Sequence, residues 1–110
     1  MYYIIIKTQF EGFHRYKDAP EEVKFLREYH RHIFKVEARI KTTHADRQIE
    51  FFILKRLIDG ILKEEYENKE FDLSCEQIAE NIFMYLKGKN LEVLQVEVSE
   101  DGENVGGYNE

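Results

Sequence analysis

The chain has 110 residues, 43% hydrophobic and 14% aromatic, which fits one globular domain over 1–110 and excludes a disordered polypeptide. A net charge of −6 and a pI near 5.3 argue against a nucleic-acid partner, and no apolar run approaches the ~20 residues of a membrane helix. Cys75 is the only cysteine and the N-terminus lacks a basic secretory leader, so a reducing, cytoplasmic setting is expected.

Tyr2–Phe13 is rich in β-branched and aromatic residues and reads as a long strand. Pro20, the only proline, lies in the polar connection that follows, and residues 20–29 read as a short helix or an ordered loop. His32–Thr43 is a second strand: Phe34, Val36, Ala38 and Ile40 alternate with Lys35, Glu37, Arg39 and Lys41. Ile49–Glu65 is helical, with Ile53, Leu54, Leu57, Ile58, Ile61 and Leu62 forming a core-facing stripe. Ser74, three residues before Gln77, has the pattern of a capping box and opens a second helix. Its apolar face is Cys75, Ile78, Ala79, Ile82, Phe83 and Leu86, and Gly88 ends it. Leu91–Ser99 is a third strand with Leu94, Val96 and Val98 inward; Asp101-Gly102 is a turn, and Val105–Tyr108 a short last strand. The order β-β-α-α-β-β predicts an α+β domain: a four-stranded antiparallel sheet with two helices packed on one face. Its open edges favour pairing with another subunit.

His30 and His32 are two residues apart at the entrance to the second strand, so both point to the face that Phe34 and Val36 bury. His14, at the end of the first strand, meets them across an antiparallel hairpin. Three neutral imidazoles that leave one position open form the ligand set of a catalytic zinc site. The plainer alternative is a group of hydrogen-bonded or exposed strand-end histidines. His44 lies at the far end of the second strand, too distant to be a ligand.

Five segments carry a further comparison: Phe13-His14, Tyr29-His30-Arg31-His32-Ile33-Phe34, Ile49-Glu50-Phe51-Phe52-Ile53-Leu54-Lys55, Leu73-Ser74-Cys75-Glu76-Gln77-Ile78-Ala79 and Val96-Glu97-Val98-Ser99-Glu100. In this order they resemble the 6-pyruvoyl-tetrahydropterin synthase family, which includes the 6-carboxy-tetrahydropterin synthase of the queuosine pathway. The resemblance implies a T-fold whose subunits assemble as homotrimers or homohexamers around a β-barrel, with active sites between subunits. It implies Zn2+ on His14, His30 and His32, Glu100 as the anchor of a pterin ring, and 7,8-dihydroneopterin triphosphate or a related pterin as substrate.

The departures concern the chemistry. Leu26 stands where the family carries its catalytic cysteine, and Ile61–Phe71 lacks the histidine of the family's Asp-His dyad. Arg31 replaces the glycine of H-G-H, and Glu50 the aspartate that opens the first helix. Cys75 reads as a packing residue. Glu28 is the candidate general base, the alternative being a solvated loop acid; Glu100 has the alternative of an exposed turn residue. Arg15, Lys17, Arg27 and Arg31 either receive a triphosphate or balance nearby acids. Two functions follow from the resemblance: a zinc-dependent pterin synthase or lyase, or a catalytically degenerate relative that binds zinc and a pterin- or purine-like ligand.

Overall fold

A computed structural model describes residues 1–110. Strands β1 (Tyr2–His14) and β2 (His30–Thr42) form an unbroken antiparallel hairpin, in register from Tyr2 opposite Thr42 to His14 opposite His30. The alternation of β2 is kept along its length: Phe34, Val36, Ala38, Ile40 and Thr42 are buried. Ile6 and Phe10 lie on the same face of β1, and the three histidine positions 14, 30 and 32 continue that face past the end of the core. Between the strands, residues 15–29 fold back over the hairpin end as irregular 3-10 turns at Glu21–Arg27, fastened by the Tyr16 amide donating to the Leu26 carbonyl at 2.7 Å.

Helix α1 (Phe51–Glu65) begins where the Glu50 carboxylate accepts the Ile53 amide at 2.8 Å. Its buried stripe is narrower than the sequence predicts. Leu54, Ile58 and Leu62 are buried at i, i+4 and i+8, whereas Ile53 is 68% exposed. Helix α2 (Cys75–Gly88) has the expected capping box, with Ser74 and Gln77 each accepting the other's backbone N–H. It buries Cys75, Ile78, Ala79, Ile82, Phe83 and Leu86 and ends at Gly88. Neither helix is long and apolar enough to cross a membrane.

A two-residue strand that the sequence does not predict, β3 (Glu70–Phe71), pairs parallel with Phe13 and His14. Together with β4 (Val93–Glu100) and β5 (Asn104–Tyr108) it makes a five-stranded mixed sheet in the order β3-β1-β2-β4-β5. The α+β T-fold arrangement holds, with one strand more than expected. Leu94 is only half-buried, since the β2–β4 register shifts beside it between Arg39 and Ile40.

An aromatic stack carries the histidine end of the sheet. Phe10 lies 5.0 Å from Phe34 and 5.3 Å from Tyr66, centroid to centroid, with Phe71 5.7 Å from Phe34. Gly12 makes room for it, since a Cβ there would stand 3.0 Å from the Phe71 ring. Phe34 is wholly buried, and truncating such a ring costs about 3–5 kcal/mol. The site therefore rests on a rigid floor.

Candidate metal centre

Register brings the three predicted histidines together. His14 is directly opposite His30, and His32 is opposite Gly12, one pleat away on the same face. Their ring centroids form a nearly equilateral triangle of 4.7, 5.0 and 5.2 Å, with the rings steeply inclined to one another. One nitrogen from each ring lies within 4.8 Å of the other two. His44 is absent from this group, as expected.

The orientation of each ring has a specific cause. His14 Nδ1 is 3.1 Å from the Leu73 carbonyl oxygen, His30 Nδ1 is 2.9 Å from that of Glu28, and His32 Nδ1 is 2.7 Å from Asp101 Oδ2. Carbonyl and carboxylate oxygens only accept, so each Nδ1 donates and each neutral ring keeps its lone pair on Nε2. That is the tautomer a metal needs, with the outer partners that hold ligating histidines. Burial pushes the His14 imidazolium below the usual imidazole range, against the Leu73 carbonyl and the Glu100 charge, so the neutral form is favoured.

Glu100 lies beside two of the three histidines. At the end of β4, opposite Phe34, it places Oε1 3.2 Å from His14 Nε2 and Oε2 3.4 Å from His32 Nε2. A carboxylate facing two imidazole lone pairs is repelled unless a proton or a metal ion lies between them. Three convergent Nε2 atoms and an adjacent carboxylate therefore fit a divalent cation, in donor type and in charge.

The outer partners are what sequence reasoning missed. Asp101, read only as part of a turn, adopts φ +56°. Its amide donates to the Ile33 carbonyl at 2.8 Å, and its Oδ1 accepts the Ile33 amide at 2.9 Å. The His32 and Ile33 N–H groups hold its carboxyl below the usual carboxylate range. Its signal was present: an acid next to Glu100, at a turn facing the His32 end of β2. Leu73 is delivered by β3 and by Asp72, which accepts from Arg15 Nε at 2.8 Å and from the Tyr29 hydroxyl at 3.2 Å. No side-chain pattern announces a backbone carbonyl.

Glu28 touches the cluster through its carbonyl, while its side chain is exposed and does not line the adjoining cavity. Three of the four cations engage acids: Arg15 with Asp72, Arg27 with Glu21, and Arg31 with Glu11. The cavity beside the histidines has a volume of about 620 Å³, within the usual range for small-molecule sites. Its wall includes His14, His30, Leu26, Cys75, Glu100 and Gly106. Cys75 Sγ lies 4.0 Å from Glu100 Oε1, and burial, with Glu100 and Glu76 nearby, pushes the thiol up to about 12. It packs as the sequence suggests, and it also forms part of the cavity wall.

The backbone as a whole superposes on 6-pyruvoyl tetrahydropterin synthase from Caenorhabditis elegans with a TM-score of 0.78, at 15% identity, over 99% of this chain and 95% of the other. The fold is that of 6-pyruvoyl tetrahydropterin synthase. An uncharacterized protein from Wolinella succinogenes, WS1659, has the same architecture: TM-score 0.70, 16% identity, 98% of this chain and 97% of that one. No family sequence model and no curated protein sequence matches the chain. The likeness is thus one of fold, at 15–16% identity.

Proposed function

We propose that this protein is a zinc-dependent, pterin-acting member of the synthase fold, taking 7,8-dihydroneopterin triphosphate or a related pterin at a site completed between subunits of a homotrimer or homohexamer. The observation that carries the proposal is the convergence of His14, His30 and His32, each fixed as a ligand-competent tautomer, beside a cavity containing Glu100. The synthase-like fold supports the choice of substrate class.

When bound, zinc supplies Lewis acidity that lowers the pKa of hydroxyl groups and of C–H bonds next to a carbonyl. The histidines fix where that acidity acts. Glu100 offers two oxygens to the paired N–H donors of a pterin ring edge, a bidentate match. Leu26 and the neutral Cys75 thiol keep that part of the cavity wall weakly polar. Glu28 is proposed as the general base if a rotation of its exposed side chain brings it inward on ligand binding.

A second function is favoured by one observation. Leu26 lines the cavity where the family's cysteine is expected, and the Cys75 thiol on the same wall is pushed up by burial and by the Glu100 and Glu76 charges. A metal- and pterin- or purine-binding protein without the usual reaction meets the same geometry. Incubating the zinc-loaded protein with 7,8-dihydroneopterin triphosphate and separating the pterins decides between them. New pterin products, abolished in His30→Ala, support the enzyme; binding without turnover supports the second function; neither binding nor turnover rejects both.

A further inference from the structure

The cavity beside the histidines is acidic. Arg15 is the only lysine or arginine on its wall, against Asp72, Glu76 and Glu100. Asp101, 2.7 Å behind the His32 ring, adds a fourth carboxylate. One cation against four carboxylates is a net charge of −3, and a divalent ion on the histidines leaves −1. The Arg15 charge is itself engaged. Its Nε donates to Asp72 Oδ1 at 2.8 Å, and its guanidinium carbon lies 4.5 Å from the centroid of the Tyr29 ring. The Tyr29 hydroxyl donates to the same Asp72 oxygen at 3.2 Å, so a fixed carboxylate flanks any anion that approaches this fork. Farther out, Lys17 acts on Asp72 and Glu70 on Arg15, one charge of each sign. The other cations of the hairpin end are directed elsewhere. Arg31, between two histidines on a strand, faces the opposite side of the sheet and meets Glu11 at 2.6 Å. Arg27 donates to the Ala19 carbonyl at 2.8 Å and lies 3.6 Å from Glu21.

We propose that the acidic wall selects its ligand by charge: a pterin without a polyphosphate chain, such as 7,8-dihydroneopterin, in preference to its triphosphate. This names the substrate class of the pterin site proposed above and rests on that function. A triphosphate brings several negative charges into a site whose own balance is already negative. Its recognition needs arginine or lysine donors, and the one arginine of the wall is shared with Asp72. At an effective dielectric near 20, one uncompensated pair of like charges about 10 Å apart amounts to about a 10-fold loss of affinity in low salt. A neutral ring with side-chain hydroxyls escapes that repulsion. Arg15, Arg27 and Arg31 thus balance acids instead of receiving a triphosphate. Among the acids, Glu76 is the one to change. It is exposed in the first turn of α2, away from the histidines' own partners, and its charge is felt across the wall. After burial and Glu100, it is the next contributor that pushes the Cys75 thiol up.

Equilibrium titrations of the zinc-loaded protein with 7,8-dihydroneopterin and with 7,8-dihydroneopterin triphosphate, read from pterin fluorescence, test this. A metal buffer fixes the free zinc, so that the triphosphate cannot strip the site. At low ionic strength the neutral ligand is expected to bind about 10-fold or more tightly than the triphosphate. Added salt should narrow that gap by strengthening triphosphate binding, because it screens the wall. Glu76→Gln, which keeps the size of the side chain and removes its charge, should narrow the gap about 3-fold or more at low salt. Circular dichroism checks the fold of the variant, and the salt series on the wild type decides by itself if the variant fails to fold. Triphosphate binding that matches or exceeds that of the neutral ligand overturns the selection while the pterin function stands. A gap that persists at high salt and in Glu76→Gln is one of shape, and it overturns selection by charge. Binding of neither ligand overturns the pterin function and the selection together.

Discussion

At the residue scale, the three imidazoles differ in what holds them, and mutation separates them on that basis. His14 and His30 are oriented by backbone carbonyls, which no side-chain substitution removes, whereas His32 depends on the Asp101 carboxylate. Asparagine at 101 has one oxygen for two donors. If that oxygen stays on the Ile33 amide, the NH2 group faces His32 Nδ1 and drives the ring to the Nε2–H tautomer, covering the lone pair a metal needs. Asp101→Asn is therefore expected to weaken zinc binding about 10–100-fold, measured by competition with a chromophoric chelator. Glu28→Ala, which leaves the Glu28 carbonyl in place, should leave zinc affinity unchanged in the same titration. Cys75 gives a second test at this scale. Its thiol is raised from 9.0 to about 12, so at pH 8 the native, metal-free protein holds about 1000-fold less thiolate than an ordinary cysteine. Alkylation by iodoacetamide should be correspondingly slow, and should become fast in denaturant; rapid native labelling would contradict the buried, protonated thiol.

Elements fix how closely those residues meet, and here glycine is decisive. Gly106 of β5 lies against the start of α2, where a Cβ would stand 2.9 Å from the Glu76 backbone nitrogen. The capping box holds that helix end in place, so the helix cannot yield cheaply. Gly106→Ala is expected to destabilise the protein by about 1–3 kcal/mol, read from denaturant melts, and to widen the gap between Cys75 and Glu100. The helices and long strands were legible in the sequence because their signals are periodic or chemical: the β2 alternation, the Ser74–Gln77 box, the Gly88 stop. The histidine triad was legible too, since a period of two and a tight hairpin place His14, His30 and His32 on one face. Two residues of β3 are too short to show a period, so the strand that delivers Leu73 was not. Asp101 hid for a different reason. Its turn chemistry explained it sufficiently, and only the register between β2 and β4 shows that the same carboxylate reaches His32. Ile53 misled because helical spacing reports a face, while only the Leu54, Ile58, Leu62 line of that face is buried.

At the scale of the whole molecule, the open question is what covers the outer edge of β1. β3 pairs only with Phe13 and His14, and the Glu67–Lys69 segment satisfies the outward groups of Glu11 and Phe13. Strand alternation then leaves Tyr3, Ile5, Lys7 and Gln9 with outward-facing N–H and C=O groups and no partner within the chain. A long, straight edge without proline is a template for another strand, and Lys7 is its only charged guard. Beyond it lie exposed Tyr2, Tyr3, Phe51, Phe52 and Ile53. These features support the proposed homotrimer or homohexamer, with the β1 edge as a subunit contact. Lys7→Pro tests it directly. Proline there removes only an outward N–H, leaving the β1–β2 ladder intact, and forfeits an exposed ion pair with Glu37 that contributes about 0–1 kcal/mol. The wild type is expected to sediment as a trimer or hexamer of the 13.3 kDa chain and the variant as a smaller species with an unchanged circular dichroism spectrum. A wild-type monomer refutes the assembly; an intact oligomer in Lys7→Pro moves the contact off this edge.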